Sequence, residues 1–355
     1  MRVVVHRPPI WVGAGTLGLA DRGSVLPDPR NRMSAGSAPC STKVKRVFIT
    51  GGTHGNEACG VVLAKHFIKT PQLFAGFSFE VSVLLTNVAS IASNSRYVDE
   101  DMNRCFLQKD LSDPTRTSTL EARRAKELND VLGPKGSADA ADLIIDLHNT
   151  TADTGVALMM PPGDELSHAI ASHLISLDPS VRVCNWNANQ NDWPMLPSVG
   201  KHGMTFEVGA VPWGVMDGAV YQKTRRLVLA SLQYVEAHNA ALARQPPGPW
   251  LPTSVQVHAF VRAVDYPRDA DGEIAGMIHP DFQGKDFEPL QRGDAAFLSV
   301  DGQTAIPFTP KPPPEEEAEA EQLYPFFINE AAYVEKKTAF MLARRFDRPV
   351  QAAQL

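Results

Sequence analysis

No apolar run in this 355-residue chain approaches the ~20 residues that a membrane-spanning helix needs. A basic excess is missing too. Lysine and arginine number 34 against 40 acidic residues, a net charge of −6. A surface built to grip phosphates would tilt the other way, which argues against nucleic acid as a bulk partner. Cysteine is scarce: Cys40, Cys59, Cys105 and Cys184 are scattered, with no C-x-x-C pair. They fit neither a disulfide framework nor a cysteine metal site, and they suit a reducing compartment. Together these absences predict a cytoplasmic protein with no membrane span. What the chain does have is bulk, since its length and 43% hydrophobic content suffice to fill two cores.

The chain is organised around Arg46 to Gly60, RVFITGGTHGNEACG. Val47 to Thr50 read as a buried strand that stops at Gly51-Gly52, and a helix is expected from about Glu57 to Lys69. Between them His54 and Glu57 form H-x-x-E, flanked by glycines that let the backbone bend tightly. Imidazole nitrogen and carboxylate oxygen together suit Zn²⁺, which takes three protein ligands when one position stays open for water. On that reading a third ligand lies further along. On the other, this is a glycine-rich turn carrying an incidental histidine.

Phe77 to Leu85 reads as a second strand. After it, Arg96 to Phe106 (RYVDEDMNRCF) alternates Asp99, Asp101 and Asn103 between Arg96 and Arg104. The pattern is either a solvated charged loop or a set of ion pairs that fixes the arginines in place. Ser118-x-x-Glu121 reads as a capping box for a helix whose buried face is Ala122, Ala125, Leu128 and Leu132, closed by Gly133-Pro134. Leu143 to Ile145 form a buried parallel-type strand, and Asp146 and His148 share one face at its end. Asp146 is a candidate to orient the imidazole. His148 sits at a strand end as His54 does, where ligands of open α/β sheets bind. In MTFEVG (Met204 to Gly209), Glu207 stands inside an apolar run. A carboxylate there must be paired, hydrogen-bonded or near a metal. Trp186, Trp193 and Trp213 lie near it in sequence, as pocket wall or as core.

A helix is expected from Thr224 to about His238, with Leu227, Ser231, Tyr234 and Val235 on one side. The Pro-rich Gln245 to Pro252 then marks the best domain boundary. Beyond it, short alternating strands with Asp271-Gly272 and Asp301-Gly302 turns predict a β-rich region. The expected organisation is a disordered, functionally silent extension over 1–44, an α/β unit over 45–244, and a β-rich unit over 245–355 with an acidic Pro-rich loop at 309–322. The extension has five arginines before Met33, as a transit peptide would, but no amphipathic period. Met33 is a candidate start.

The set GGTHGNE, RYVDEDMNR, DLHNTT, FEVG and YPFFINEAAYVEK resembles the aspartoacylase and aminoacylase III group, relatives of zinc carboxypeptidases that hydrolyse N-acyl amino acids. It runs in order from about Arg46 to Phe340. The resemblance implies a carboxypeptidase-like mixed sheet flanked by helices, with a smaller β-rich C-terminal domain partly covering the site. It implies one Zn²⁺ on His54, Glu57 and His148, with Glu207 as catalytic acid/base. Arg96 falls on the arginine that polarises the scissile carbonyl. Asn103 and Arg104 fall on the pair that holds the substrate carboxylate, and Tyr333 on a binding tyrosine.

One departure bears on specificity. Aspartate-selective members carry an arginine ten residues before the catalytic glutamate, where this chain has Pro197; Gly209-Ala210 also replaces the usual Gly-Pro. Without that guanidinium the side-chain carboxylate of an acyl-aspartate loses its bidentate partner. The expectation is therefore the broader branch, acting on aromatic or uncharged N-acyl amino acids and N-acetylcysteine conjugates. A selective N-acetyl-L-aspartate deacylase is the alternative, with a metallocarboxypeptidase and a non-catalytic binding protein behind it. The expected partner is a small-molecule substrate, and a homo-oligomer stays open.

Overall fold

A computed structural model describes residues 38–354 apart from 187, 189 and 310–321. The extension up to residue 37, Met33 included, and nearly all of the acidic loop lie outside the described residues. Of the stretch before Lys45, Val44 is fully buried, and its backbone N–H donates to Asn239 Oδ1 at 2.9 Å.

Alternation along the first strands assigns their faces. In β1 (Arg46–Gly51), Val47 and Ile49 pack into the larger core while Phe48 points to the opposite face. The next strands are β2 (Glu80–Leu85), β3 (Leu143–Asn149), β4 (Gly155–Met160), β5 (Val181–Asn185) and β6 (His202–Gly209). The C-terminal region supplies β7 (Trp250–Val264), β8 (Gly276–Ile278), β9 (Ala295–Ser299), β10 (Ala305–Pro307), β11 (Leu323–Phe326) and β12 (Phe340–Ala353). Nine strands form one mixed sheet in the order β11-β12-β7-β5-β4-β6-β3-β1-β2, and β10-β9-β8 form a small antiparallel sheet. Strands β1, β2, β3 and β6 run parallel, β4 pairs antiparallel to β6, and β7 joins parallel to β5.

The helices are α1 (Ala58–Lys69), α2 (Val88–Ser93), α3 (Gln108–Ser112), α4 (Leu120–Leu132), α5 (Glu165–Leu177) and α6 (Gly218–Ala243). Leu63 and Phe67 of α1, Ile170 of α5 and Leu227 of α6 bury one face of the sheet together. Ala125, Leu128 and Leu132 of α4 cover Phe48 and Ile144 on the other. Among the described residues no helix is long and apolar enough to cross a membrane.

Several local expectations change. The second strand starts at Glu80, because the residues before it are a turn. Helix α6 starts six residues before Thr224, capped by Asp217. Helix α4 is capped by Thr119, which accepts from the Ala122 N–H, so Ser118 and Glu121 form no capping box. The long β7 and β12, with the short β11, extend the main sheet, and the short β8, β9 and β10 make the small one.

Candidate active site

The carboxyl ends of β1, β3 and β6 lie side by side, since all three run parallel. After β1 the chain turns through Gly52 at φ +78°, and at Gly55 a Cβ would lie 2.0 Å from the Ser90 backbone. Only glycine lets the turn lie this close to the head of α2. The turn delivers His54 and Glu57 next to His148 from the end of β3. His54 Nδ1 is 2.7 Å from Glu57 Oε1, His148 Nδ1 is 2.8 Å from Glu57 Oε2, and the two Nδ1 atoms are 3.1 Å apart. One donor atom from each residue falls within 4.8 Å of the others, and all three residues are buried. Two imidazole nitrogens and a carboxylate oxygen suit a borderline divalent cation such as zinc, with a position left for solvent.

The far nitrogens explain why both Nδ1 atoms point inward. His54 Nε2 lies 3.0 Å from Asp101 Oδ1, and His148 Nε2 lies 2.7 Å from Asp146 Oδ2. Carboxylates at those positions fix the tautomer and ring orientation. Asp146 was legible from its place two residues before His148. The contact of Asp101 with His54 was not, because the alternating acids of that segment suggested only arginine partners. Thr50 and Thr53 hydroxyls donate to Asp146 at 2.7 and 3.0 Å and anchor it in turn.

Arg96 reaches both carboxylates, Glu57 and Asp101, at 3.3 Å each. The expected ion pairing of this loop therefore holds for Arg96. Asp99 instead accepts from the Leu120 N–H, and Arg104 donates to the Asn103 carbonyl at 2.7 Å. Asn103 is fully buried, its amide between His148 Nε2 at 3.3 Å and the Leu196 N–H at 3.1 Å. Glu207 stands opposite His148 in the β3–β6 register and lines one cavity with Glu57, Arg96, Thr150, Phe327, Glu330 and Tyr333. The cavity thus joins Arg96, Glu57, Glu207 and Tyr333, which are far apart in sequence. Asn103 and Arg104 are not among the residues that line it. None of the three tryptophans lines it: Trp193 is fully buried in core, Trp186 stacks on Phe260, and Trp213 is partly exposed at the surface.

Electrostatics separates the two carboxylates. Burial alone would push the Glu57 carboxyl up, but the His54 and His148 imidazoles outweigh it and hold it well below the usual range. Burial pushes Glu207 up to about 8, with Glu57 and Glu330 adding and His148 opposing. One acid is thus kept ionised and its neighbour kept close to neutral pH, the split that separates a ligand from a proton carrier.

Two residues of the second half were not singled out by sequence. Glu330 Oε2 accepts from the Thr150 hydroxyl and from the Thr151 N–H at 2.7 Å, which clamps the segment carrying Tyr333 onto the loop after β3. Lys336 Nζ lies 2.8 Å from Asp101 Oδ2 and ties the same segment to the loop that carries Arg96. Glu121 accepts from the N–H groups of Val98, Asp99 and Glu100 at 2.7 to 3.3 Å and so shapes the loop between Arg96 and Asp101.

A family model described as the succinylglutamate desuccinylase/aspartoacylase catalytic domain matches residues 43–235. The AstE/AspA barrel-sandwich hybrid domain matches residues 253–345. A protein of Nostoc sp. named probable aspartoacylase is 37% identical over 303 residues, 85% of this chain and 97% of its own. The human N-acyl-aromatic-L-amino acid amidohydrolase (carboxylate-forming) is likewise 37% identical, over 87% of this chain and 93% of its own. The crystal structure of murine aminoacylase 3 superposes with a TM-score of 0.78 at 34% identity, covering 90% of this chain and all of that one.

Proposed function

The chain belongs to the succinylglutamate desuccinylase/aspartoacylase family, and from that premise we propose that it is a zinc amidohydrolase of N-acyl L-amino acids, releasing a carboxylate and the free amino acid. What carries this assignment is the convergence of His54 Nδ1, His148 Nδ1 and the Glu57 carboxylate beside Glu207, a carboxylate with no hydrogen bond or ion pair to a described side chain.

The three donors fit zinc, and the carboxylates behind both imidazoles fix the rings with their Nδ1 atoms aimed inward. Held by His54, Glu57 and His148, a zinc ion would supply Lewis acidity and make water at the site acidic enough to ionise at about pH 7. Glu207 takes a proton from the attacking water and returns it to the departing amine; its raised affinity for protons suits it to both transfers. Arg96, kept charged by Asp101 and Glu57, donates to the oxygen of the scissile carbonyl as negative charge builds on it. Arg104 is the candidate to hold the substrate carboxylate, with the buried Asn103 positioning its guanidinium through the backbone carbonyl, and Tyr333 closes over the substrate from the C-terminal region. We read residues 45–244 as the catalytic unit and 245–355 as the unit that covers it.

For the amino acid, relatives at equal identity carry names of both kinds. Pro197 supports the broader branch. It is buried in the turn Leu196–Val199, with its carbonyl accepting from Gln190 and Gly200, so this position offers no guanidinium. Phe327 and Tyr333 add aromatic surface to the cavity. A panel of N-acetyl aromatic amino acids, N-acetylcysteine conjugates, N-acetyl-L-aspartate and longer peptides tests the assignment. Faster turnover of the first two is expected. A strict preference for N-acetyl-L-aspartate selects the alternative specificity.

A further inference from the structure

We propose that Cys40 is an activated thiolate, held by His202 and Asp164, and that it is a site of covalent modification by hydroperoxides and other soft electrophiles. It lies at the opposite end of β6 from Glu207. Glu207 is five residue steps along the strand from His202, roughly 16 Å at ~3.3 Å per residue.

The geometry is that of a nucleophile, a base and an orienting acid. Cys40 Sγ lies 3.8 Å from His202 Nε2, and His202 Nδ1 lies 2.7 Å from Asp164 Oδ1. Asp164 is fixed in turn by the N–H groups of Ser167 and Gly203 at 3.0 and 2.9 Å. The side chains facing the thiol are His202 on β6 and His238 and Tyr234 on α6, with Asp164 at the head of α5 behind His202. Burial would raise the Cys40 thiol, but the imidazoles of His202 and His238 outweigh it and bring it to about 6. The molecule carries its own controls. Cys59, Cys105 and Cys184 are buried, and burial pushes each of their thiols up, whereas Cys40 is partly exposed.

With a hydroperoxide the thiolate attacks one oxygen, an S–O bond forms as the O–O bond breaks, and the sulfur is oxidised to a sulfenic acid. The leaving oxygen takes the proton of the His202 imidazolium and departs as water or alcohol, the reduced product.

The full-length, zinc-loaded protein is treated with limiting iodoacetamide at pH 6.5, and each cysteine peptide is quantified by mass spectrometry. Cys40 is expected to react roughly fivefold faster than glutathione, its larger thiolate fraction being partly offset by lower intrinsic nucleophilicity. The other three cysteines are expected to stay unlabelled. His202→Gln should slow Cys40 about tenfold, and Cys40→Ser should leave amide hydrolysis unchanged. Hydrogen peroxide followed by dimedone should tag Cys40 alone. Alkylation of Cys40 no faster than of glutathione overturns the proposal, and so does an unchanged rate in His202→Gln. The comparison with glutathione uses the native chain, so it decides even where the variant fails to fold.

Discussion

His148 and Glu207 face each other as register partners on the parallel strands β3 and β6. The pairing sets an imidazole that points at His54 and Glu57 beside a carboxylate that burial keeps reluctant to ionise. A backbone ladder thus sets the candidate metal ligand His148 beside the candidate proton carrier Glu207.

Asp146 is the orienting partner of His148, at 2.7 Å from Nε2. Asp146→Asn should weaken zinc binding about 10- to 100-fold, the usual cost of losing such a partner. Competition against a chelator of known affinity measures it. Unchanged affinity would show that the ring is held by packing alone.

Glu121 gathers three consecutive N–H groups and the Asn87 amide in a fully buried position. Glu121→Ala should cost about 1–3 kcal/mol of stability, since the buried Asn87 amide and three partly buried N–H groups lose their acceptor at once. It should also raise KM more than it lowers kcat, because the loop carrying Arg96 and Asn103 loosens. Ser118→Ala, at the position that makes no cap, should stay within ~0.5 kcal/mol in the same denaturant titration.

Much of this was legible because the informative residues are close in sequence. His54 and Glu57 are three apart, Asp146 and His148 two apart, and each pair follows a run that can only be a buried strand. Glu207 announced itself as an acid inside MTFEVG. The buried face of α4 followed from its period, and Ala122, Ala125, Leu128 and Leu132 are all buried. Contacts across long stretches of chain were hidden. Asp101 meets His54 across 47 residues, and Glu330 meets Thr150 across 180. Glu121 misled because its spacing from Ser118 satisfies a local motif, while its carboxylate is claimed by a loop that the motif does not mention.

His258 lies between the rings of Phe287 and Tyr324, at centroid distances of 4.8 and 5.8 Å. Burial holds its pKa down to about 4. The folded value is below the ordinary ~6.5, so the unfolded chain binds the proton first as pH falls. Stability should be full above about pH 6.5 and decline toward pH 4, by roughly 3 kcal/mol from this residue. In unfolding free energies measured across that window, His258→Leu should reduce the acid-side slope by about one proton. An unchanged slope would place the proton uptake elsewhere.

The most direct measurement is the release of free amino acid from N-acetyl aromatic substrates by the zinc-loaded chain, compared with Glu207→Ala at matched zinc content. Expected are turnover by the native protein and a fall of at least about 10²-fold in the variant with its zinc retained, the scale of a lost general acid–base. Near-normal hydrolysis by Glu207→Ala would contradict its place in the chemistry, and no hydrolysis of any N-acyl amino acid by the zinc-loaded native chain would contradict the amidohydrolase itself.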